Sequence, residues 1–538
     1  MEFSVKQRLL LLLSTVIMLS AAWISGGFSL FIALVPILLV EDYYERNKEK
    51  YKSGVVYRQS FLVFILWHAI TNWWIGHASV AGVIMVIFLN SFFYASVFWL
   101  FHWAKRNTNK STGYAFFLLI WISFEYIHTY WELSWPWMNL GNWLGKSIYF
   151  IQWYEFTGVE GGSLWIILSN LLLLFIVQKT ISGGNKREIN IAISTFLALL
   201  IIPSLISVLM YTNYHEKGRE ADVVVIQPNV DPYREKYDNE LHKKQLANIL
   251  RLSASIADTN VDYFVGPETA FPRGDWENNL SNNNTLLTLR EFLKNYPGAK
   301  YIIGLSSYRL YEPGEQIPAT ARPLNGNTTR YYDRYNTAIQ IDSTQKFELY
   351  HKSKFVIGVE KMPFLHLIPA LEKLAMDFGG IIGSLGSDNE RKTFEYYSDE
   401  FRVGPIICYE SVYGQFVTEY IKKGANLLFV ITNDGWWDNT PGHRMHLMHS
   451  QLRAIETRRS VARSANTGVS CFISQKGKIS QATKYWEENV IRQKLIANDE
   501  ITFYVKFGDA IGRISLFMAV LMLFYVIVKT IVPKKNRI

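Results

Sequence analysis

Three strand-like segments in this chain lead into a side chain that can react. Val403–Ile407 is followed directly by Cys408, residues 263–266 lead across Pro267 to Glu268, and the run closing at Tyr350 leads to Lys352. A carboxylate, an ammonium and a thiol have complementary uses. The carboxylate takes the thiol proton and later returns one to a leaving group. The ammonium stabilises the oxyanion of a tetrahedral intermediate. A helical pattern over 412–422, stopped at Gly424, predicts that Cys408 faces a helix N-terminus. Unpaired N–H groups and the helix dipole would favour its thiolate there. Each residue also has an ordinary reading: Cys408 as a buried structural cysteine, Glu268 as the neighbour of a helix N-cap, Lys352 as a solvated strand-end charge. Spacing alone leaves both sets of readings open.

These residues need elements to hold them, and the alternation of patterns supplies candidates. Strand-like runs cover 221–227, 263–266, 301–307, 403–407, 427–432 and 469–474, with a hairpin from 332–341 and 347–350. Amphipathic helical patterns cover 241–258 and 286–296. This order predicts an α/β layered domain, helices covering sheets, with functional groups at the C-terminal ends of strands.

The rest of the chain is of another kind. Of 538 residues, 49% are hydrophobic, 15% aromatic and only 19% charged, which suits a membrane protein with a sizeable soluble part. Two cysteines, Cys408 and Cys471, exclude a disulfide framework or a zinc cluster; Cys471 is read as packing. Apolar blocks at 7–23, 26–40, 59–75, 79–103, 113–131, 162–178 and 189–211, and another at 511–532, predict eight membrane spans. The first block lacks a convincing cleavage site and is read as a retained helix. Lys and Arg gather in alternate loops, at residues such as Arg46, Lys52, Arg58, Lys105, Arg106, Lys186, Arg187, Lys534 and Lys535. That side is then cytoplasmic and the domain between spans seven and eight lies outside, in the periplasm of a two-membrane bacterium. The net charge of +9 is thus tied to loops and gives no reason to expect a nucleic-acid partner. The boundaries expected are 1–211 for seven spans, 212–510 for the α/β domain, and 511–538 for the last span and a basic tail.

Motifs around the reactive residues carry a resemblance. Gly266-Pro-Glu268-Thr-Ala-Phe-Pro272, Tyr350-His-Lys352 with Glu360 downstream, and Cys408-Tyr409-Glu410 resemble the Glu-Lys-Cys triad of the nitrilase superfamily. With eight spans attached, the chain resembles the apolipoprotein N-acyltransferases. Further matches are Ser134-Trp-Pro-Trp137, Gly158-Val-Glu-Gly161, Val225-Ile-Gln-Pro-Asn229, Tyr335-Asn336-Thr337, Thr432-Asn-Asp434-Gly-Trp-Trp437 and Arg463-Ser-Ala-Asn466-Thr-Gly468. The resemblance implies an α-β-β-α sandwich on a transmembrane helical bundle. Glu268 would be base and acid, Lys352 the oxyanion stabiliser and Cys408 the acyl-carrying nucleophile. Glu360 and Asn336 would support them, Tyr409 and Glu410 would shape the pocket, and Tyr237, Trp436 and Trp437 are candidates for substrate contact. The implied reaction is ping-pong, from a phospholipid acyl donor to the diacylglyceryl-cysteine of an apolipoprotein acceptor. It takes place at the bilayer of the inner membrane, with no cofactor, and by a monomer. Departures exist: the family usually has glycine where this chain has Asp438, a tryptophan near Tyr237, and a Pro-Phe-Gly turn before Glu360. A membrane-tethered amidase and a transporter or receptor with an external sensing domain are the alternatives.

Other segments have weaker claims. His443, His446 and His449 recur every third residue with no carboxylate at matching spacing, so no metal is expected. Arg453, Arg458, Arg459 and Arg463 are read as one face of a helix, solvated or salt-bridged, with anionic headgroups as the alternative. The Trp-rich segment 131–143 is read as an aromatic belt or part of a lipid-entry surface. Apolar residues in 355–371 suit a loop dipping toward lipid or a core segment.

Overall fold

A computed structural model describes residues 3–236, 241–324, 327–357, 360–361, 385–395 and 400–531. The chain divides into two units: Met1–Trp73, Val83–Asn213 and Phe507–Ile538 form one, Trp74–Gly82 and Tyr214–Lys506 the other.

The first unit is helical. Among the described residues, four helices are long and apolar enough to cross a membrane: Val80–Asn107, which starts in the other unit, Tyr154–Ile181, Lys186–Asn213 and Ala510–Ile531. Val5–Ser20, Gly54–Asn72 and Lys110–Ile127 are shorter helices at three further expected blocks. The block expected at 26–40 is not one helix. Gly26 and Gly27 take φ of +63° and +89° after the short helix Ala22–Ser25, and the helix Val35–Arg46 begins anew with Pro36 in its first turn. That helix runs past the expected end, so Glu41 is buried and pairs with Lys105 Nζ at 2.6 Å and His102 Nδ1 at 2.8 Å. In the Trp-rich segment, Trp135, Trp137 and Trp143 are buried rather than belt-forming. Pro136 opens the 3-10 turn Pro136–Met138, and the Trp135 indole donates to Asn72 Oδ1 at 3.3 Å.

The second unit is an α-β-β-α sandwich. Its strands are β1 (Arg219–Gln227), β2 (Tyr263–Val265), β3 (Phe271–Trp276), β4 (Lys300–Leu310), β5 (Arg322–Leu324), β6 (Asn327–Ile341), β7 (Phe347–His351), β8 (Val403–Ile407), β9 (Leu427–Thr432), β10 (Ser460–Ala465), β11 (Cys471–Ile473), β12 (Ile479–Ser480) and β13 (Asn489–Ala497). One sheet runs β13-β1-β2-β4-β6-β5, with β3 on β4 and β7 on β6; the other runs β12-β11-β10-β9-β8. Helices His242–Ile256 and Asn284–Leu293 pack on the first sheet, Gly414–Lys422 and Pro441–Thr457 on the second, and β10 faces β1 across the centre. Strands β8 and β9 are parallel and buried along their whole length, covered by helices on one face and the other sheet on the opposite one. That double burial is why both read as continuous apolar runs rather than alternating ones. Cys471 is buried in β11.

The four arginines do not share a helix face. Pro441–Thr457 ends at Arg458, in the left-handed region at φ +50°, and the chain turns into β10. All four side chains are buried. Arg453 Nη1 donates to the Val412 carbonyl at 2.9 Å, Arg458 Nη1 to that of Gln475 at 3.2 Å, and Arg459 Nη1 to that of Glu500 at 2.7 Å. Arg463 Nη2 pairs with Asp434 Oδ2 at 2.7 Å. A guanidinium is always charged, so its burial requires such acceptors, and these four tie segments together instead of facing solvent or headgroups.

Candidate active site

The hairpin β6–β7 and the turn after β2 bring four predicted residues within hydrogen-bonding distance. Lys352 follows β7, and its Nζ lies 2.9 Å from Glu268 Oε1 and 2.8 Å from Glu360 Oε1. Asn336, on β6, donates from Nδ2 to Glu268 Oε1 at 2.8 Å and to Glu360 Oε1 at 3.3 Å. The Lys352 N–H donates to the Asn336 carbonyl at 2.9 Å, which fixes the end of β7 against β6. Glu268 Oε2 accepts from the N–H of Asn433, the residue after β9, at 3.1 Å. The carboxylate thus takes bonds from both sheets. Glu360 Oε2 is held by the Val356 N–H at 2.9 Å.

Gly304, on β4, makes room for the Glu268 turn. A Cβ there would stand 2.7 Å from Glu268 Cα and closer still to Thr269 N. The Gly304 N–H donates to the Pro267 carbonyl at 3.0 Å. Thr269 sits at φ +44°, an uncommon conformation for a branched residue.

Cys408 directly follows β8 at φ +51° and opens a 3-10 turn, Cys408–Val412. Its carbonyl is held from two sides, by Ser411 Oγ at 2.8 Å and His446 Nε2 at 3.0 Å. His446 Nδ1 lies 2.9 Å from Asp434 Oδ1. This network over-determines the turn and offsets the cost of a strained nucleophile position. Sequence reasoning weighed the three histidines only as metal ligands. Among the described residues no cluster of three or more His, Cys, Asp or Glu is arranged to hold a metal. Asp434 and Arg463 lie in segments the sequence picked out, but their role here became visible only in the fold.

The electrostatics correct one expectation. The expected helix, Gly414–Lys422, begins six residues beyond Cys408, with the 3-10 turn Cys408–Val412 between them. Burial pushes the Cys408 thiol well up; Glu268 adds to this, and Lys352 only partly opposes it. The resting sulfur is therefore a neutral thiol that needs a base. For Glu268, burial disfavours the charge, but the cations of Lys352 and Lys236 outweigh it and hold the carboxyl below its usual range. Lys352 is likewise opposed by burial, and Glu268 and Glu360 win, keeping it an ammonium.

Glu410 points to the backbone behind the pocket. Its Oε1 accepts from Tyr350 Oη and the Ser353 N–H, each at 2.7 Å, and its Oε2 from the Ile407 N–H at 2.8 Å. It ties the segment carrying Lys352 to the strand carrying Cys408, and burial raises it to about 7. Tyr409 is buried with its ring edge-on to Tyr413 at 5.3 Å. Trp437 is buried, edge-on to Trp74 at 5.2 Å and to His446 at 5.4 Å. Trp436 is half-buried against Tyr233, whose hydroxyl donates to the Trp436 carbonyl at 2.9 Å. Tyr237, and residues 358–359 and 362–371 of the apolar segment, lie outside the described residues. Lys236, missed by the sequence reading, is buried beside Glu268; nothing in its local pattern marks it.

Residues 225–499 match the carbon–nitrogen hydrolase family, and the chain belongs to that family. Residues 14–172 match the apolipoprotein N-acyltransferase N-terminal domain. The apolipoprotein N-acyltransferase of Chlorobaculum tepidum is 25% identical over 501 residues, covering 91% of this chain and 90% of that protein. Apolipoprotein N-acyltransferase 1 of Treponema denticola is 24% identical over 412 residues, covering 70% of this chain and 71% of its own. Among solved structures, an amidase of Nesterenkonia AN1 from the nitrilase superfamily is 14% identical, covers 55% of this chain and 97% of its own, and has a TM-score of 0.36.

Proposed function

We propose that this chain is an apolipoprotein N-acyltransferase acting through a Cys408 thioester. Glu268 takes the Cys408 proton as the sulfur attacks the ester carbonyl of a phospholipid. Lys352 stabilises the oxyanion. The tetrahedral intermediate collapses, the C–O bond breaks, and Glu268 returns its proton to the departing glycerol oxygen of the lysophospholipid. In the second half, the α-amine of a diacylglyceryl-cysteine attacks the thioester. Glu268 takes the amine proton, the C–S bond breaks, and the thiolate is reprotonated. Glu360 and Asn336 hold Lys352 and Glu268, while Glu410 fixes the strand ends. Trp436, Trp437 and Tyr237 are assigned to substrate contact.

The bond of Lys352 to Glu268 at 2.9 Å, in the field of which the Cys408 thiol lies, supports thiol acyl chemistry. The observation that carries acyl transfer over amide hydrolysis is the match of residues 14–172 ahead of the carbon–nitrogen hydrolase domain. In this reading eight helices cross the bacterial inner membrane, and the alternation of Lys- and Arg-rich loops puts the catalytic domain on the periplasmic side. Both substrates are then presented at the bilayer, and a monomer suffices. The test uses the purified full chain with labelled phospholipid and a diacylated lipopeptide. Label on the protein, then on the lipopeptide amine, both lost in Cys408→Ala, is expected. Release of free fatty acid or ammonia without transfer would turn the reading to an amidase, and an inert protein would leave a sensing or transport role.

A further inference from the structure

Among the described residues, Lys236 is a buried cation at this pocket that the steps above leave idle. It is 5% exposed, in the turn after Asp231. Its Nζ donates to Thr269 Oγ1 at 2.9 Å and lies 3.5 Å from the Glu268 carbonyl oxygen. An ammonium therefore grips the turn that carries Glu268, at the residue whose φ of +44° is otherwise costly. The balance of charge gives it a second task. Glu268 and Glu360 are two carboxylates sharing one ammonium, that of Lys352. Those three groups alone leave the pocket negative, and forming a thiolate or an oxyanion would add charge of the same sign where the dielectric is low. The ammonium of Lys236 brings the set to neutrality.

We propose that Lys236 is a positioning residue, the second cation of the pocket: it fixes the Glu268–Thr269 turn and supplies the counter-charge that lets negative charge develop on Cys408 sulfur and on the attacked carbonyl oxygen. The charged and titratable groups acting on it are Glu268, Cys408, Lys352 and Glu360. Burial pushes the ammonium down to about 8, with Glu268 and Cys408 opposing the fall and Lys352 adding to it. Its charge is thus present below that pH and lost above it. The inference rests on the acyl-transfer reading only for the identity of the acyl group, not for the role of the charge.

The test is the rate at which iodoacetamide alkylates Cys408 in the full chain, with Cys471→Ala removing the other thiol. Lys236→Met and Lys236→Gln should each slow alkylation at pH 7 by about tenfold or more, the effect of losing one nearby opposite charge. Lys236→Arg should alkylate at the wild-type rate or faster. In wild type the rise of the rate with pH should slacken above about 8, where the ammonium is lost; in Lys236→Arg it should not. Gln keeps a donor to Thr269 without the charge, so it decides the matter if the Met variant does not fold. Unchanged alkylation in folded Met or Gln variants would overturn the proposal, as would an Arg variant as slow as Met. Alkylation uses no lipid: a shifted profile in a protein that transfers no acyl group would sink the acyltransferase reading and leave the role of Lys236 standing.

Discussion

Replacing Gly304 with alanine tests the site without touching a reactive group. The new Cβ would stand 2.7 Å from Glu268 Cα and 2.9 Å from its carbonyl carbon, where ordinary contact begins at 3.4 Å. The obstructing atoms are backbone, so no rotamer change relieves them. Gly304 lies within β4, opposite Ala338 of β6, so β4 is not the part that yields. The nearest atom is Thr269 N at 2.4 Å, so the Glu268 turn must retreat by roughly 1 Å, the shortfall in that contact. A displacement on the order of 1 Å at a reacting group costs roughly 100-fold in rate. Overpacking of this kind costs about 1–3 kcal/mol of stability, which leaves most of the protein folded. The assay is single-turnover transfer of label from phospholipid to the protein, beside a thermal melt of the full chain. We expect acylation to fall by about two orders of magnitude with donor binding little changed. A folded Gly304→Ala variant acylating within about threefold of wild type would refute the geometric argument and the role given to Glu268 with it.

Other expectations follow from the same contacts. Asn336→Ala removes a 2.8 Å bond to Glu268, worth about 1.5–3 kcal/mol to a charged group, so acylation should drop roughly ten- to hundred-fold and the melt should fall by a corresponding amount. Asp434→Asn leaves Arg463 and His446 facing a neutral amide; breaking such a buried pair costs about 3–5 kcal/mol, and a denaturation shift below about 1 kcal/mol would contradict the account of the Cys408 turn. Asp438 holds φ +52° and ψ −171°, so Asp438→Gly should gain on the order of 1 kcal/mol by relieving a conformation suited to glycine, read as a higher melting temperature. Burial disfavours a charged His351, but Asp388 and Glu277 raise its pKa, and His351 outweighs burial to hold Asp388 at about 2. The histidine's contribution is full below about 6.5 and is lost as pH rises through its raised value. That of Asp388 is full above about 3.9 and is lost as pH falls toward about 2. The pair therefore adds most to stability between those limits, and His351→Gln should lower the melting temperature most there and flatten its pH dependence on both sides.

What the sequence determined by itself is bound up with local pattern. Val403–Ile407 and Leu427–Thr432 are buried on both faces, so each is written as an unbroken apolar run whose end can be read directly. Cys408 follows the first without a gap, and Glu268 and Lys352 stand within a few residues of their own strand ends. Their positions could therefore be named in advance. The basic loops and apolar blocks were equally plain, because membrane insertion reads composition over tens of residues. Only the tertiary structure decided what depends on distant segments meeting. Arg459 and Arg463 look like a solvated helix face until β10 is slotted between β9 and β11, where each guanidinium finds acceptors far away in the chain. His446 holds the Cys408 carbonyl across 38 residues, and Lys236 grips Thr269 across 33. The state of the sulfur was decided there too: local order suggested a thiolate at a helix end, but the desolvation that raises a thiol comes from everything packed around it, and no run of neighbouring residues encodes that.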